Sequence, residues 1–440
     1  MNPLAKELND TIIEINPYIY EMLSKIGKNL FFPKGILYQT SEAKEKAFRF
    51  NATIGMATEK RHPMFLPSII KWINLPPEKS ITYAPAFGIP ELRHLWKENL
   101  YKKNPSLDGK KISLPIVTHA ITHGLSIVAD MWVNPGDIII LPDKMWGNYR
   151  LIFEIRKQAQ IITYQFFDDN NKFNIKAFYN TLREQAKKRD KLIIILNFPN
   201  NPTGYTPTIS EAEQIKNIIL DLAEDINIVV VADDAYFGLV YEEGVLKESI
   251  FSYLAAQHPR VLTIKLDAAT KEDFVWGLRV GFLTYAAASD REIQPLYEAL
   301  EKKSAGAVRG SISNVNHLGQ QILLSALKSA EYQKEKEEKF RILKERAEKV
   351  KLVLSNPDYK DAWESYPFNS GYFMCLKIKN VDAEVLRRYL LDKYGIGIIA
   401  LNRSDVRIAF SSIEKEEIEA FFSYLFKAVK ELQETKNPSF

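Results

Sequence analysis

The sequence predicts an α/β protein: a mostly parallel seven-stranded sheet wrapped by helices, with a smaller α+β part drawn from both ends of the chain. Three observations predict it. Between about residues 111 and 285, seven short runs rich in Val, Ile and Leu alternate with amphipathic stretches, the pattern of parallel strands joined by crossover helices. Four of those runs end in polar or ionisable residues, and open α/β sheets place ligands beyond the carboxyl ends of their strands. After the last run comes a long charged stretch with helical spacing, followed by a second, shorter set of strand-like segments.

The seven expected strands cover residues 112–118, 137–141, 160–166, 192–197, 226–232, 261–266 and 280–284, with helices such as 175–188 and 210–223 between them. Residues 320–354 read as one long helix whose Lys/Glu/Arg-rich part, 334–351, is the solvated face of a connector between two lobes. Beyond it, 372–378, 395–399 and 406–410 read as strands and 414–434 as a closing helix. The first 60 residues hold one expected helix and are assigned to the C-terminal part. The resulting division is a large domain, 61–325, and a small domain made of 1–60 plus 326–440.

Composition narrows the function. The chain has 440 residues, a size that implies two or three domains. Its 46% apolar residues can fill a core, and 26% charged residues keep the surface hydrated. With 59 Lys and Arg against 55 Asp and Glu, there is no chain-wide charge to draw it to nucleic acid or to an anionic membrane. A single cysteine, Cys375, excludes an internal disulfide framework and fits a reducing, cytoplasmic compartment. No apolar run is long enough to span a bilayer or form a signal peptide. The six histidines show no metal-ligand spacing, since His119 and His123 stand four apart without a nearby carboxylate; no metal is expected.

The strand ends carry the chemistry. The run 192–197 leads into Asn197, Phe198, Pro199, Asn200, Asn201, Pro202, Thr203 and Gly204, a rigid turn presenting Asn side chains. The run 226–232 is followed directly by Asp233, Asp234, Ala235 and Tyr236. Past 261–266 stand Thr270 and Lys271, and eight residues further Arg279, within Gly277-Leu278-Arg279-Val280-Gly281. The run 112–118 ends in Ala120, Ile121 and Thr122 before an apolar helix, placing free backbone N–H groups and a hydroxyl at a helix N-terminus.

These elements, in this order and at these distances, resemble the class I/II aminotransferases, fold-type I enzymes that depend on pyridoxal 5'-phosphate, with the similarity running from about residue 51 to 410. Asn201-Pro202-Thr203-Gly204 and Asp233-x-Ala235-Tyr236 match two family motifs, and Lys271 with Arg279 matches the Schiff-base lysine and the phosphate arginine. The resemblance implies that Lys271 forms the internal aldimine and moves the proton between substrate and cofactor in a ping-pong transamination. It implies that Asp233 faces the pyridine nitrogen, that Tyr236 and Asn201 meet the ring oxygen, and that Trp146 stacks on the ring. Of the adjacent acids, only one can face the ring, because side chains alternate along a strand. Arg279 and the Ala120, Ile121 and Thr122 turn would hold the phosphate. Two departures mark this chain: the usual glycine of that turn is replaced where Ala120 and Ile121 stand, and the hydroxyl residue often found three before the lysine is Ala268.

For the substrate, the resemblance assigns the α-carboxylate to Arg407, an arginine within an apolar strand, with Gly55 beside it. Tyr83 matches a tyrosine that reaches the neighbouring subunit's phosphate, implying a homodimer with shared active sites. Arg309, four residues before Ser313-Asn314, matches an arginine that binds a side-chain carboxylate in aspartate-type enzymes, so glutamate or aspartate is the expected donor; the prolines usual after Ser-Asn are here Val315 and Asn316. A lyase or decarboxylase on the same scaffold would need the same cofactor contacts. A pyridoxal-phosphate-binding regulatory domain would need an added DNA-binding domain, and the first 60 residues show no basic helix-turn-helix pair.

Overall fold

The computed structural model describes residues 1–32 and 35–436. Each of the seven expected runs forms a strand of one sheet: β1 (Ile116–Thr118), β2 (Ile138–Pro142), β3 (Gln160–Tyr164), β4 (Lys191–Asn197), β5 (Asn227–Asp233), β6 (Val261–Ala268) and β7 (Gly281–Ala286). The spatial order is β1-β7-β6-β5-β4-β2-β3, and only β7 runs antiparallel to its neighbours.

Alternation along the strands divides the core in two. Val230 and Ala232 of β5 face one apolar cluster together with Ile194, Phe282 and Trp96, whereas Val229 and Val231 face another with Ile264, Leu266 and Leu283. The second face is covered by α1 (Ala120–Trp132), whose N-terminus lies at the end of β1, and by α4 (Gln294–Ile312). The other expected crossover helices are α2 (Ile175–Ala186) and α3 (Ile209–Ala223); α3 opens with a reciprocal capping box between Thr208 and Glu211.

The smaller sheet contains β8 (Trp363–Ser365), β9 (Phe373–Ile378), β10 (Ile399–Ala400) and β11 (Asp405–Ala409), in the antiparallel order β8-β9-β11-β10. The N-terminal segment joins it: Phe50–Asn51 pairs in parallel with Ile396–Gly397, and the Gln39 amide bonds both backbone groups of Ala400, at 3.0 and 2.8 Å. Gly204 sets how closely this part approaches the large sheet. Its φ is +71°, and a Cβ there would lie 2.0 Å from the Phe373 carbonyl oxygen.

Four expectations about elements need correction. The first 60 residues contain four helical segments rather than one, Pro3–Ile15, Pro17–Met22, Lys25–Asn29 and Ile36–Lys46, the first three capped by the side chains of Asn2, Asn16 and Ser24. Asn16 both closes the first and caps the second, so capping at one residue separates two helices. The long connector is two helices, α5 (His317–Leu327) and α6 (Tyr332–Leu354); the Ser329 hydroxyl bonds Glu331 in the turn between them. The stretch 395–399 is not one strand, because Ile396–Gly397 pairs with the N-terminal segment and Ile399–Ala400 with β11. The charged face of α6 is only partly solvated: Lys336 and Arg346 turn inward, Arg346 bonding the carbonyls of Thr58 and Ser411 at 2.7 and 2.6 Å. Among the described residues no helix is long and apolar enough to cross a membrane.

Candidate active site

Beyond the C-terminal ends of β4, β5 and β6, where the two sheets meet, lies a cavity of about 310 Å³. Of the residues singled out from sequence, Gly55, Ala120, Ile121, Thr122, Trp146, Asn201, Asp233, Tyr236, Lys271, Arg279 and Arg407 line it. Tyr83 and Arg309 do not: Tyr83 is 89% exposed, and the Arg309 guanidinium bonds the Ser313 hydroxyl at 2.6 Å on an exposed helix end.

The positions follow from the backbone. Asp233 continues the Val229, Val231 face of β5 and points into the cavity. Its Oδ2 accepts a hydrogen bond from the Tyr149 hydroxyl at 2.6 Å, and its Oδ1 one from the Ala235 N–H at 3.2 Å. Asn197 ties the neighbouring strand end in, donating to the Asp233 carbonyl at 2.8 Å while accepting from the Asn201 N–H at 2.8 Å. Asp234 lies on the opposite face, bonded to Ser249 and Lys265.

Lys271 sits in the short turn after β6, its Nζ 4.9 Å from the centre of the Tyr236 ring. Its carbonyl accepts from the Tyr372 hydroxyl at 3.1 Å. Ala120 and Arg279 both adopt left-handed backbone, at φ +59° and +54°. Gly281 lets these two turns meet, since a Cβ there would come within 2.9 Å of the Ala120 backbone.

Arg407 is 3% exposed on β11. It lies 4.1 Å above the Phe373 ring and donates to Asn201 Oδ1 at 3.2 Å and to the Thr53 carbonyl at 3.0 Å, while its Nε has no partner. Burial lowers its proton affinity, as it does that of Arg279.

Burial also sets the charge of the central pair. It pushes Asp233 up to about 6, against the opposing pull of Tyr149 and Lys271, and it brings Lys271 down to about 8 against the opposing pull of Asp233. Burial keeps Tyr236 well above the usual phenol range.

Several cavity residues escaped the sequence reading: Tyr149, Thr53, Phe373, Ile36 and Thr40. Tyr149 follows Trp146 by three residues and packs edge-on against it at 5.6 Å, a helical spacing that could have drawn attention to it. Nothing local marks Ile36, Thr40 or the Thr53 carbonyl, which arrive from the N-terminal segment.

Asp233, Lys271, Arg279 and Arg407 therefore share one cavity, and among the described residues none of the four is closed off in an ion pair. The buried Thr270 hydroxyl and Arg407 Nε are unpartnered at the same place. Buried charges and polar atoms left open in this way call for a ligand with an anionic group, a cationic or protonated nitrogen and an electrophile for an amine. A pyridine ring bearing a phosphate and an aldehyde, together with a carboxylate substrate, fits that donor set.

Comparison with known proteins agrees. The family model for aminotransferase class I and II matches residues 68–425. An aspartate aminotransferase of Pyrococcus horikoshii is 27% identical over 350 residues, covering 77% of this chain and 81% of that one. An LL-diaminopimelate aminotransferase of Aquifex aeolicus is 28% identical over 300 residues, covering 67% and 69%. Among solved structures, an aminotransferase from Anaerococcus prevotii superposes with a TM-score of 0.82 at 24% identity, covering 93% of this chain and 99% of that one. The chain belongs to the class I and II aminotransferases, and its cofactor is pyridoxal phosphate.

Proposed function

We propose that the protein moves an amino group between an L-amino acid and a 2-oxo acid in two half-reactions at this one cavity, with Arg407 gripping the substrate's α-carboxylate. The observation that carries the reading is Arg407 itself: a guanidinium 3% exposed, with no carboxylate in ion-pair range among the described residues, in the cavity of Lys271. A planar carboxylate can take two parallel bonds from that fork, and the Gly55 and Thr53 backbone lies beside it.

When bound, pyridoxal phosphate supplies an electron sink for the pair left at the substrate α-carbon. The chain's residues do the rest. The Lys271 amine, which burial brings down to about 8, would carry the proton to and from the α-carbon. Asp233, steadied by Tyr149 and Asn197, would accept the hydrogen bond of the pyridine N–H. Arg279 and the N–H groups of Ile121 and Thr122 would hold the phosphate, the Tyr236 and Asn201 polar groups would meet the ring oxygen, and Trp146 would cover the ring face.

On the same reading the active unit is a homodimer, in which Tyr83 reaches the phosphate bound by the other copy and Arg309 reaches the substrate side chain there. Both are exposed in the single chain, as such roles require. Glutamate or aspartate is then among the best donors, because an arginine at each end of the site pairs with a dicarboxylate and a neutral side chain leaves one of them unmatched. The relatives themselves are named for different substrates, aspartate and LL-diaminopimelate.

A panel of amino donors and oxo acids tests the reading. Stoichiometric return of the amino group to an acceptor supports it, and release of ammonia or carbon dioxide overturns it.

A further inference from the structure

The chain carries two acids in succession at the end of β5, and either could in principle face the cavity. What separates them is a cluster of charges on the other side of the sheet. Lys265 of β6 is fully buried, and its ammonium is ion-paired with Asp234 and 3.6 Å from Asp267 Oδ2. The Ser249 hydroxyl donates to Asp234 Oδ2 at 2.6 Å, the Trp96 indole to Asp267 Oδ2 at 3.1 Å, and the Phe237 ring centre lies 4.4 Å from the ammonium. β5 and β6 are neighbours in parallel register, with Ala232 opposite Lys265 and Asp233 opposite Leu266. Strand alternation places Lys265 and Asp267 on the face opposite Leu266 and Ala268, the face that Asp234 shares with Ala232.

We infer that Lys265 is a positioning residue: by holding Asp234 on the rear face of the sheet, it makes Asp233 the acid that faces Lys271. This rests on the role proposed above for Asp233. A buried carboxylate needs a cation or a full set of donors, and on the rear face Lys265 is the ammonium within reach of Asp234. Pairing there fixes the side-chain parity of the strand end, because a slip of one residue would bury Asp233 against Lys265 and turn Asp234 toward Tyr149. The cluster is also short of one positive charge, with two carboxylates sharing one ammonium. Burial pushes Asp267 up to about 6 against the pull of Lys265, and of the two carboxylates it is Asp234 that lies nearer the ammonium.

The test uses apoprotein titrated with pyridoxal phosphate, followed by visible absorbance, and the reconstituted holoenzyme. Lys265→Met is expected to weaken cofactor binding and lower kcat/KM by about a hundredfold, the scale on which an orphaned buried charge acts. It is also expected to move the midpoint of the pH titration of the bound cofactor's visible absorbance. Adding Asp234→Asn to Lys265→Met should recover at least about tenfold of both losses, since an amide can keep the Ser249 bond without demanding a cation. A Lys265→Met protein that melts earlier yet keeps the wild-type cofactor affinity and titration midpoint would reduce Lys265 to a structural role and overturn the inference. If Lys265→Met does not fold, the double variant decides alone: folded with near wild-type affinity it supports the inference, and folded with affinity lost it overturns it. Asp233→Asn in the wild-type background is the separate control, because unchanged cofactor binding there would sink the role of Asp233 and leave the Lys265 result to be read independently.

Discussion

Arg407 and Arg309 were both assigned from the sequence to substrate carboxylates, and the structure puts them in opposite settings. Arg407 stands in the middle of an antiparallel strand, buried, braced by the Asn201 side chain, the Thr53 carbonyl and the Phe373 ring. Arg309 stands in the last turn of α4, exposed, and bonds the nearby Ser313 hydroxyl. The difference teaches where specificity can be read within one chain. A dehydrated guanidinium without a counter-ion already states what it will bind, whereas an exposed one is held in water and takes its meaning from whatever covers it.

Substitutions separate the two settings, beginning with Lys271, on which both arginines depend. Lys271→Ala should lower kcat by roughly 10⁴-fold with every donor, the upper range for a positioned proton-transfer group. The variant should also lose the visible absorbance of the cofactor joined to the protein; an undiminished spectrum would mean another lysine carries it.

Next in size is Arg407→Ala. Removing one partner of a desolvated ion pair costs about 3–5 kcal/mol, or roughly two to four powers of ten in kcat/KM. Cofactor affinity should be retained, because the role proposed for the phosphate belongs to Arg279 and the Ile121 and Thr122 turn, not to Arg407. A loss below about tenfold would place the carboxylate grip elsewhere.

Asp233→Asn gives a smaller loss of activity but a test of sign. In the folded apoprotein Asp233 is pushed up to about 6 by burial, so the native state holds its proton more tightly than the unfolded chain. That preference makes native stability fall as pH rises from the ordinary carboxylate range through about 6, and above it the full penalty of a buried charge remains. Asp233→Asn removes this dependence. The variant apoprotein should therefore melt higher than wild type at pH 8 and match it near pH 4, while the holoenzyme loses roughly 10²-fold in kcat. Equal melting temperatures at both pH values would mean that Asp233 is not held in a desolvated site.

The smallest effect is expected at Arg309. Arg309→Ala should lower kcat/KM for glutamate and aspartate by about tenfold and leave alanine and phenylalanine within about twofold, matching one partly exposed ion pair. Equal losses for all donors would remove Arg309 from substrate selection.

The sequence by itself determined most of the sheet and the main inventory of the cavity. Seven runs rich in Val, Ile and Leu have few alternatives to a mostly parallel sheet, and the polar residues that end four of them sit where such sheets bind ligands, so Asn201, Asp233, Lys271 and Arg279 could be found from order and spacing. Strand alternation implied that only one of Asp233 and Asp234 faces the cavity, and the family resemblance pointed to Asp233. Helix breaks were less legible, because capping by Asn2, Asn16 and Ser24 or the turn at Ser329 depends on single side chains within runs of helical period. What only the tertiary structure decided is which distant groups converge. The Tyr149 hydroxyl on Asp233, the Thr53 carbonyl on Arg407, Ile36 and Thr40 at the cavity, and Lys265 behind Asp234 each join segments from tens to hundreds of residues apart. No local pattern encodes those contacts, because a side chain's partner across the fold is fixed by how the sheets and helices pack and by which buried charges can be satisfied only there.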